Sequence, residues 1–546
     1  MPTIDISRKD LERLVGKKFS QKELEEALMF VKGEIDSAQG DSIKVDVKET
    51  NRPDLWSTEG IAREIRARIG RQKGVWKPKV GKPRLSVRIE KSVKEARPYT
   101  VGAVVRGIKV TENLLLQMIQ LQEKVDGTHG RKRKESSTGI YDFDKIKGDI
   151  RYYGAEPGEK KFTPLEFKAE MDLDEILEMH PKGREYGHLL KGKKLYPIFE
   201  DSQGNVLSMP PIINSNYSGK VTEKTRNLFV EVSGFDRATI SAGLKVMVMA
   251  LADRGGKIEA GNIMDSDGKK SVTPEFGTKK MVVDPAHVEK VAGIHLGTKK
   301  MVELLEKAGM RAKTSGKKIV VWYPDYRQDI IHAIDIIEDI IISYGYNNIK
   351  PRKPEMSVVG EELKESLYLD KARDVCVGLG LQEILTFNLT SREKQETLVG
   401  LTGEKFVEIA NPVSANWSIM RKNIYPELLE FASKNKHNEY PQKIFEIGKT
   451  VHLDPSTDTM TTERNRLCIL LLGKGYGFTL IKSVFEAVCR ELGKKCFLAP
   501  LKHASLREGK SARISGDSKG ILGELSDKTA KNFGLEQQAV ILEMDL

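Results

Sequence analysis

Four acidic side chains in one short segment could together bind a divalent cation. Asp335, Glu338 and Asp339 follow the three- and four-residue spacing of one helix face, and Asp329 comes just before them. Most of the other positions are isoleucine, so the helix that carries the acids is expected to be buried. Buried carboxylates repel one another unless they are neutralised, and four of them suit Mg²⁺ bound together with water.

Two other arrangements of these acids remain open. They can face solvent along one edge of the helix with no ion present. Alternatively, arginine and lysine side chains from a packing partner can neutralise them. The spacing of the acids does not choose among the three arrangements.

The charge balance favours a polyanionic partner. The chain has 90 Lys and Arg residues against 78 Asp and Glu residues, which gives a net charge of +12. A Lys- and Glu-rich surface from a heat-adapted organism would give the same balance. Lys124 and residues 131–134 (RKRK) form the clearest basic cluster. They predict a mobile loop that either contacts a phosphate backbone or is simply solvated.

Several classes of protein are excluded by composition. No apolar run is long enough to span a membrane, and the charged residues 1–17 do not resemble a signal peptide. The four cysteines contain no CxxC pair, which excludes a disulfide scaffold and a cysteine-rich zinc site. We therefore expect a reducing, cytoplasmic location and no membrane partner.

The elements that must position these residues predict an α+β multidomain chain. With 546 residues, the chain is too long for a single compact core. We expect a small mixed N-terminal module, a β-rich module, a helix-turn-helix-like module, and an antiparallel sheet with flanking helices. Their expected ranges are residues 1–84, 85–270, 271–352 and 353–546.

Within these modules the sequence predicts individual elements. Ser20 and Glu23 have the spacing of a helix capping box, and residues 330–344 predict one long apolar helix. Residues 383–389 and 405–409 predict strands. Three stretches predict irregular structure: a linker around Pro78 and Pro83, a turn-rich region at 139–150, and a domain boundary at 253–278.

Around the acid-bearing helix the sequence resembles the β subunits of phenylalanine–tRNA ligases. The matching segments there are residues 326–330 (YRQDI), 335–339 (DIIED) and 344–349 (YGYNNI). Further motifs follow the family order along nearly the whole chain: residues 51–55 (NRPDL), 60–64 (GIARE), 97–99 (RPY), 104–107 (VVRG), 139–142 (GIYD), 207–215 (LSMPPIINS), 411–412 (NP), 420–421 (MR) and 445–448 (FEIG). The absence of the RNA-recognition domain that bacterial members append places the chain with the archaeal and eukaryotic type.

The resemblance implies a partner and two cofactors. Family members hold Mg²⁺ at the positions of Asp329, Asp335, Glu338 and Asp339, at the contact with a catalytic α subunit; Asp339 replaces the longer Glu of the family pattern. The α subunit binds ATP and carries the adenylation site, and two αβ pairs form an α2β2 heterotetramer that acts on tRNA(Phe). The C-terminal module resembles a class II synthetase domain without catalysis. There Arg421 could bind phosphate, although a structural salt bridge is favoured.

The β-rich module resembles the family's B3/B4 editing domain, and residues 271–352 resemble its B5 domain. Editing domains of this family hydrolyse tyrosine wrongly attached to tRNA(Phe), because a phenylalanine site discriminates poorly against an added hydroxyl. The candidate editing residues are Leu207, Asn214 and Ser215, around the loop at 209–211, together with Asp236. Strand packing, turn hydrogen bonds and, for Asp236, capping of the next helix are the alternative roles.

A second function remains open. A stand-alone nucleic-acid-binding protein could use the helix-turn-helix-like module together with the positive net charge. The apolar and acidic character of residues 330–344 speaks against this, since a helix in the major groove needs polar and basic side chains.

Overall fold

The computed structural model describes residues 2–546 and divides the chain into two compact units, the first ending at Arg352 and the second beginning at Lys353. Each unit combines helices with β-sheets, so the chain has the expected α+β multidomain class. Across the described residues, every helix is too short or too polar to cross a lipid bilayer. The four cysteines are free thiols.

The first unit begins with a three-stranded antiparallel sheet and short helices. The capping box is formed: Glu23 N donates to Ser20 Oγ at 3.3 Å, and Ser20 N donates to Glu23 Oε2 at 2.8 Å. The elements are β1 (Thr3–Ser7), α1 (Arg8–Val15), α2 (Gln21–Leu28), β2 (Gly33–Gln39), β3 (Ser42–Val47) and α3 (Thr58–Arg68). The strand order is β1-β3-β2.

A ten-stranded sheet forms the middle of the first unit. Its order is β12-β11-β10-β7-β4-β14-β5-β13-β6, with β15 paired to β14 and with β8 and β9 forming a separate hairpin. The elements are β4 (Val80–Ile89), β5 (Tyr99–Arg106), α4 (Glu112–Lys124), β6 (Ser136–Asp142), β7 (Ile150–Ala155), β8 (Lys161–Phe162), β9 (Met171–Asp172), α5 (Leu173–Met179), α6 (Pro181–Tyr186), β10 (Tyr196–Asp201), β11 (Val206–Met209), β12 (Ile213–Asn214), β13 (Leu228–Gly234), α7 (Arg237–Asp253), β14 (Lys257–Met264) and β15 (Lys270–Thr273).

Two sequence predictions about this sheet are wrong. Pro83, expected in a linker, lies in strand β4, and the expected boundary at 253–278 contains the central strand β14. The turn-rich region expected at 139–150 is confirmed only for residues 143–149, because residues 139–142 complete strand β6. Pro83 fits a central strand because the β4–β14 register shifts between Glu259 and Gly261, where the pairing steps from Gly81 to Leu85. A proline is tolerated where a strand has such an irregularity.

The last part of the first unit packs three helices on a three-stranded antiparallel sheet of order β16-β18-β17. The elements are β16 (Thr278–Val283), α8 (Pro285–Ala292), α9 (Thr298–Lys307), β17 (Arg311–Ser315), β18 (Lys318–Pro324) and α10 (Ala333–Tyr344). Helix α10 begins three residues later than predicted because Asp335 accepts hydrogen bonds from the backbone N–H groups of Ile331 and His332, both at 2.7 Å.

The second unit is built on a seven-stranded sheet of order β19-β22-β23-β27-β26-β25-β24. All neighbours are antiparallel except β19 and β22. The elements are α11 (Lys364–Gly378), β19 (Gln382–Glu383), β20 (Leu389–Thr390), β21 (Ile419–Met420), α12 (Tyr425–Lys434), β22 (Gln442–Leu453), β23 (Thr461–Leu472), α13 (Phe478–Leu492), β24 (Cys496–Pro500), β25 (Leu506–Gly516), β26 (Gly520–Leu525), α14 (Asp527–Asn532) and β27 (Ala539–Asp545).

The predicted strands at 383–389 and 405–409 are not formed as such. Only the ends of the first lie in the two-residue strands β19 and β20, and the second contributes one isolated bridge, between Glu408 and Ile419. The alternating residues Leu385, Phe387 and Leu389 that suggested a strand are exposed to solvent. Their alternation therefore does not mark a core-facing strand.

Candidate functional site

A cavity of about 430 Å³ lies beside the edge strand β6. Helix α4 contributes Leu115 and Met118 to its wall, β6 contributes Thr138 and Ile140, and the loop between β11 and β12 closes another side. Most of this wall is apolar, and the cavity is large enough for an aromatic amino acid.

Side chains cover the free edge of β6 where another strand would otherwise pair. Gln122 Nε2 donates to Thr138 O at 2.7 Å, and Asn214 Nδ2 donates to Ile140 O at 3.2 Å. Thr138 N donates to Asp126 Oδ1 at 3.0 Å. These contacts satisfy the exposed edge of the strand without filling the space beside it, which leaves room for a ligand.

Glu231 brings a carboxyl group from β13 to the apolar cavity. Its residue is 2 % exposed, and Oε1 accepts a hydrogen bond from Tyr141 OH at 3.2 Å while Oε2 lies 3.4 Å from Thr100 Oγ1. Burial raises the pKa of Glu231 to about 8. The carboxyl is thus largely protonated at neutral pH and can exchange hydrogen bonds with a neutral hydroxyl.

Gly139 makes room for this carboxyl. A Cβ atom at position 139 would lie 2.5 Å from Glu231 Oε1 and 2.3 Å from Tyr141 OH, distances that real Cβ contacts essentially never show. Gly139 lies directly opposite Glu231 in the β6–β13 ladder. The glycine of the GIYD motif therefore permits the close approach of the two polar side chains.

Arg133 connects the basic loop to the cavity wall. Its Nη1 donates to the carbonyl oxygens of Pro211 and Ile212, both at 2.9 Å, and its guanidinium stacks 4.4 Å above the ring of Tyr186. Backbone hydrogen bonds hold the loop in one conformation in this structure: Arg133 N donates to Asp126 O at 2.9 Å, and neighbouring backbone groups are bonded likewise. Burial raises the pKa of Asp126 to about 6.

The structure brings one of the four candidate editing residues to the cavity, namely Asn214. Leu207 is buried in the hydrophobic core of the sheet, and Ser215 Oγ is bonded to Ser218 Oγ at 3.2 Å. Asp236 caps α7, accepting from Thr239 N at 2.7 Å, and this backbone hydrogen bond lowers its pKa. Their catalytic roles stay predictions.

The sequence analysis missed Glu231, the most deeply buried acid of the cavity. A signal was present, because Glu231 is the lone acidic residue in an otherwise apolar strand segment, residues 228–232 (LFVEV). A buried carboxylate is costly, so such a residue at a core position often has a specific partner or function.

Two of the four acids predicted to bind metal are neutralised by arginines. Asp339 is buried, and its Oδ2 accepts from Arg327 Nη2 at 2.6 Å while its Oδ1 is ion-paired with Arg68. Although burial raises the pKa of Asp339, Arg327 and Arg68 hold it well below its usual range. Asp329 accepts from Arg327 Nε at 2.9 Å and Nη2 at 2.6 Å.

The other two acids have separate partners. Asp335 accepts the backbone hydrogen bonds that cap α10, and exposed Glu338 pairs with Lys32 Nζ at 2.7 Å. Within residues 2–546 no three His, Cys, Asp or Glu side chains are grouped to hold a metal ion. In this arrangement the four carboxylates do not fit one shared Mg²⁺. Basic groups neutralise three of them, and the magnesium site stays a prediction.

The arginines belong to a buried ionic network that joins α3 to α10. Arg52 Nη2 contacts Asp54 Oδ2 at 2.8 Å and Glu64 Oε2 at 3.0 Å, and Glu64 Oε1 lies 2.7 Å from Arg68 Nη2. Arg68 Nη1 also donates to the carbonyl oxygen of Asp339 at 2.9 Å. The NRPDL and YRQDI motifs, distant in sequence, therefore meet in one buried ionic cluster.

The contacts of α10 do not support DNA binding by this helix, and those of Arg421 do not support phosphate binding. Helix α10 buries Ile336 and Ile340 in the core and Asp339 in the ionic network, so this face is not free to enter a DNA groove. In the second unit, Arg421 is buried, lies 2.7 Å from Glu446 Oε1 and donates to Lys449 O at 2.9 Å. Arg421 is thus a structural ion-pair residue.

Three family models match successive parts of the chain. Residues 97–250 match the family model described as B3/4 domain, residues 281–346 match tRNA synthetase B5 domain, and residues 349–546 match Phenylalanyl tRNA synthetase beta chain CLM domain. The chain is 44% identical to the phenylalanine–tRNA ligase beta subunit of Pyrococcus horikoshii, with 100% of this chain and 99% of that protein covered.

Other relatives extend this similarity. The beta subunit of Methanocella arvoryzae is 34% identical, over 100% of this chain and 99% of that protein. Among solved structures, an N-terminal fragment of the phenylalanyl-tRNA synthetase beta subunit from Pyrococcus horikoshii is 46% identical, with a TM-score of 0.62 over 63% of this chain and 100% of the fragment.

Proposed function

This chain belongs to the phenylalanine–tRNA ligase beta-subunit family, and from this membership we propose that it supports the attachment of phenylalanine to tRNA(Phe) by a separate α subunit. In this proposal the α subunit binds ATP and carries out the ligation, which depends on Mg²⁺. Two αβ pairs form an α2β2 heterotetramer in the cytoplasm. The four free cysteines are compatible with that reducing compartment.

An exposed apolar strip in the second unit supports a protein partner. Leu385 and Phe387 are 78% and 72% exposed, and the strands β20 and β21 bring Trp417 to the same place, with its ring edge-on to Phe387 at 5.1 Å between centroids. Val413, in the segment between β20 and β21 that also contains Trp417, is fully exposed. Soluble proteins rarely leave such a strip uncovered, and we assign it to the contact with the α subunit.

The chain's second proposed role is the hydrolysis of tyrosine wrongly attached to tRNA(Phe). The observation that carries this role is Glu231, a protonated carboxyl in an apolar cavity of amino-acid size. Tyrosine would satisfy Glu231 with its phenol oxygen, whereas phenylalanine would leave that buried group without a partner. Sites that hydrogen-bond a substrate hydroxyl reject the analogue without it strongly, so the cavity would spare the correct product.

The reaction needs a water molecule and a polar wall for the ester. Water attacks the ester carbonyl carbon, the bond to the ribose oxygen breaks, and that oxygen takes a proton as tyrosine leaves. Thr138 Oγ1 is buried in this wall and finds no hydrogen-bond partner among residues 2–546, so it is the group that we assign to holding the water. The Asn214 amide and the Arg133 guanidinium lie on the same wall and can face the ester carbonyl.

The deciding experiment measures the deacylation of preformed Tyr-tRNA(Phe) and Phe-tRNA(Phe) by the full chain in complex with its α subunit. We expect rapid hydrolysis of the tyrosyl ester only, and a loss of at least about tenfold in Glu231→Ala, since removing the partner of a buried hydroxyl costs about 1–3 kcal/mol. Glu200→Gln is the matched control, because Glu200 is a buried glutamate of the same sheet outside the cavity wall.

Two results would contradict the editing proposal. One is a wild-type complex that leaves Tyr-tRNA(Phe) intact at the rate of the uncatalysed reaction. The other is a Glu231→Ala complex that hydrolyses it as fast as the Glu200→Gln control does.

A further inference from the structure

An exposed aromatic ring lies against the basic loop near the cavity. Phe235 follows β13 and is 41% exposed, and its backbone N–H donates to Glu135 O at 3.2 Å. Two cations face its ring: the Arg97 guanidinium at 5.6 Å and Lys193 Nζ at 5.8 Å from the centroid. Neither the ligation role nor the editing cavity accounts for an aromatic side chain at this place.

The backbone of the basic loop separates its charges into two sets. Arg131, Lys132 and Arg133 have φ angles of 49°, 54° and 64°, three consecutive left-handed residues without a glycine. This conformation turns Arg133 into the cavity wall, while Arg131, Lys132 and Lys134 are exposed. Left-handed L-residues are strained, so the fold maintains an arrangement that the chain would not otherwise adopt.

The loop, the ring and the cavity are directly connected. Arg97 Nη1 donates to Arg133 O at 3.1 Å, so the cation on one side of Phe235 also holds the residue that lines the cavity. The neighbouring carboxylate, Asp236, is engaged by Thr239 at the start of α7. An aromatic ring among cations, next to a cavity wall, has the composition of a surface that stacks a base and tracks a phosphate backbone.

We propose that Phe235, Lys193 and the exposed cations of the 131–134 loop bind the single-stranded 3′ end of an RNA whose aminoacyl terminus enters the cavity. This inference rests on the proposed editing function and names the part of the protein that recognises the RNA portion of its substrate. Phe235 stacks on a base, and Lys132, Lys134 and Lys193 contact phosphates. All four are positioning residues that do not touch the ester.

The test compares two substrates of the αβ complex: Tyr-tRNA(Phe) and tyrosine ethyl ester, which has no RNA. We expect Phe235→Ala to raise KM for Tyr-tRNA(Phe) about tenfold with kcat within about twofold, as the loss of one base stack implies. Phe235→Tyr keeps the ring and should keep the wild-type KM. Hydrolysis of the ethyl ester should be unchanged in both variants. Phe497→Ala, a change at an exposed ring in the second unit, is the control.

Salt dependence tests the cations. A plot of log(kcat/KM) against log salt concentration has a negative slope. The paired change Lys132→Ala with Lys134→Ala should make this slope less negative by about 1.4, since each contact with a single strand contributes about 0.7. Lys269→Ala with Lys270→Ala removes two exposed lysines of the same unit and should leave the slope unchanged.

Outcomes against the proposal are distinct from failure of the editing function. If Phe235→Ala and the Lys132/Lys134 pair hydrolyse Tyr-tRNA(Phe) with wild-type KM and wild-type salt slope, the RNA surface is refuted while editing stands. If these variants hydrolyse Tyr-tRNA(Phe) and tyrosine ethyl ester more slowly to the same degree, the residues act on the cavity and the proposal is also wrong. If the wild-type complex hydrolyses neither substrate, both proposals fall.

Discussion

Glu231 makes the protein's stability depend on pH in a predictable direction. Its pKa is raised to about 8 by burial, so the folded state binds a proton that the unfolded chain releases near the ordinary glutamate value. The contribution of Glu231 to the free energy of unfolding should therefore be fully present below the unfolded pKa. It should fall as the pH rises from that value to about 8, and Glu231→Gln should not show this loss.

Urea denaturation of both proteins at pH 5, 7 and 9 measures this effect. We expect the free energy of unfolding of Glu231→Gln to rise relative to wild type from pH 5 to pH 9. Parallel pH profiles for the two proteins would mean that the Glu231 carboxyl titrates as an exposed acid does, and the argument for a protonated group in the cavity would be lost.

For single residues, the sequence predicted which motif contributes to the candidate site better than it predicted which side chains line the cavity. The motif that contains Leu207, Asn214 and Ser215 does reach the cavity, but only the Asn214 side chain lines it. Adjacent residues of a strand point to opposite faces, so the motif alone does not tell which side chains share a site. Glu231 was missed because its partners, Tyr141 and Thr100, come from other strands.

Among the secondary-structure elements, α3 and α10 depend on each other through buried charges. Arg68 contacts Glu64 and Asp339, and its side chain is almost completely buried. Arg68→Met would leave Asp339 with Arg327 alone and Glu64 with Arg52. Removing one partner of a buried ion pair typically costs about 3–5 kcal/mol. We therefore expect Arg68→Met to lower the free energy of unfolding of the first unit by this amount.

Urea denaturation at pH 7 checks this prediction, with Arg88→Met as an exposed control. The pH dependence gives a second check. Because the pKa of Asp339 is lowered, its stabilisation is complete above the ordinary aspartate pKa and is lost as the pH falls below it. Wild type and Arg68→Met should thus differ less at pH 2.5 than at pH 7. An Arg68→Met protein as stable as the Arg88→Met control would show that the network contributes little.

Helices with a clear apolar period and several strands of the large sheet were predicted well, whereas strand β14 was not. The capping box of α2 and the apolar spacing of α10 are local, so the sequence shows them directly. Strand β14 lies between β4 and β5, and only this pairing shows that it is a strand. Its glycine and charged residues are typical of a linker. The segment at 385–389 gave the opposite error, because exposed apolar residues imitated a core pattern.

For the whole molecule, magnesium is the most direct question. Each of the four acids already has a partner within the chain: Arg327 for Asp329, backbone N–H groups for Asp335, Lys32 for Glu338, and two arginines for Asp339. We therefore expect the isolated chain to show no saturable Mg²⁺ binding by isothermal titration calorimetry. A stoichiometric site that disappears in the double variant Asp335→Ala, Glu338→Ala would contradict this prediction.

The same double variant distinguishes how the α subunit is held. Asp335 and Glu338 have partners that are easily exchanged, since one is a backbone cap and the other an exposed ion pair. If docking recruits Mg²⁺ to these acids, the double variant should weaken αβ association, and a chelator should weaken the wild-type complex likewise.

Phe387→Asp, which places a charge in the apolar strip, should weaken association at least about tenfold with or without chelator. Phe497→Asp changes an exposed ring on β24, an edge strand of the seven-stranded sheet, and should have little effect. A double variant that associates as tightly as wild type, in a complex indifferent to chelator, would leave the apolar strip as the contact and remove the acids from it.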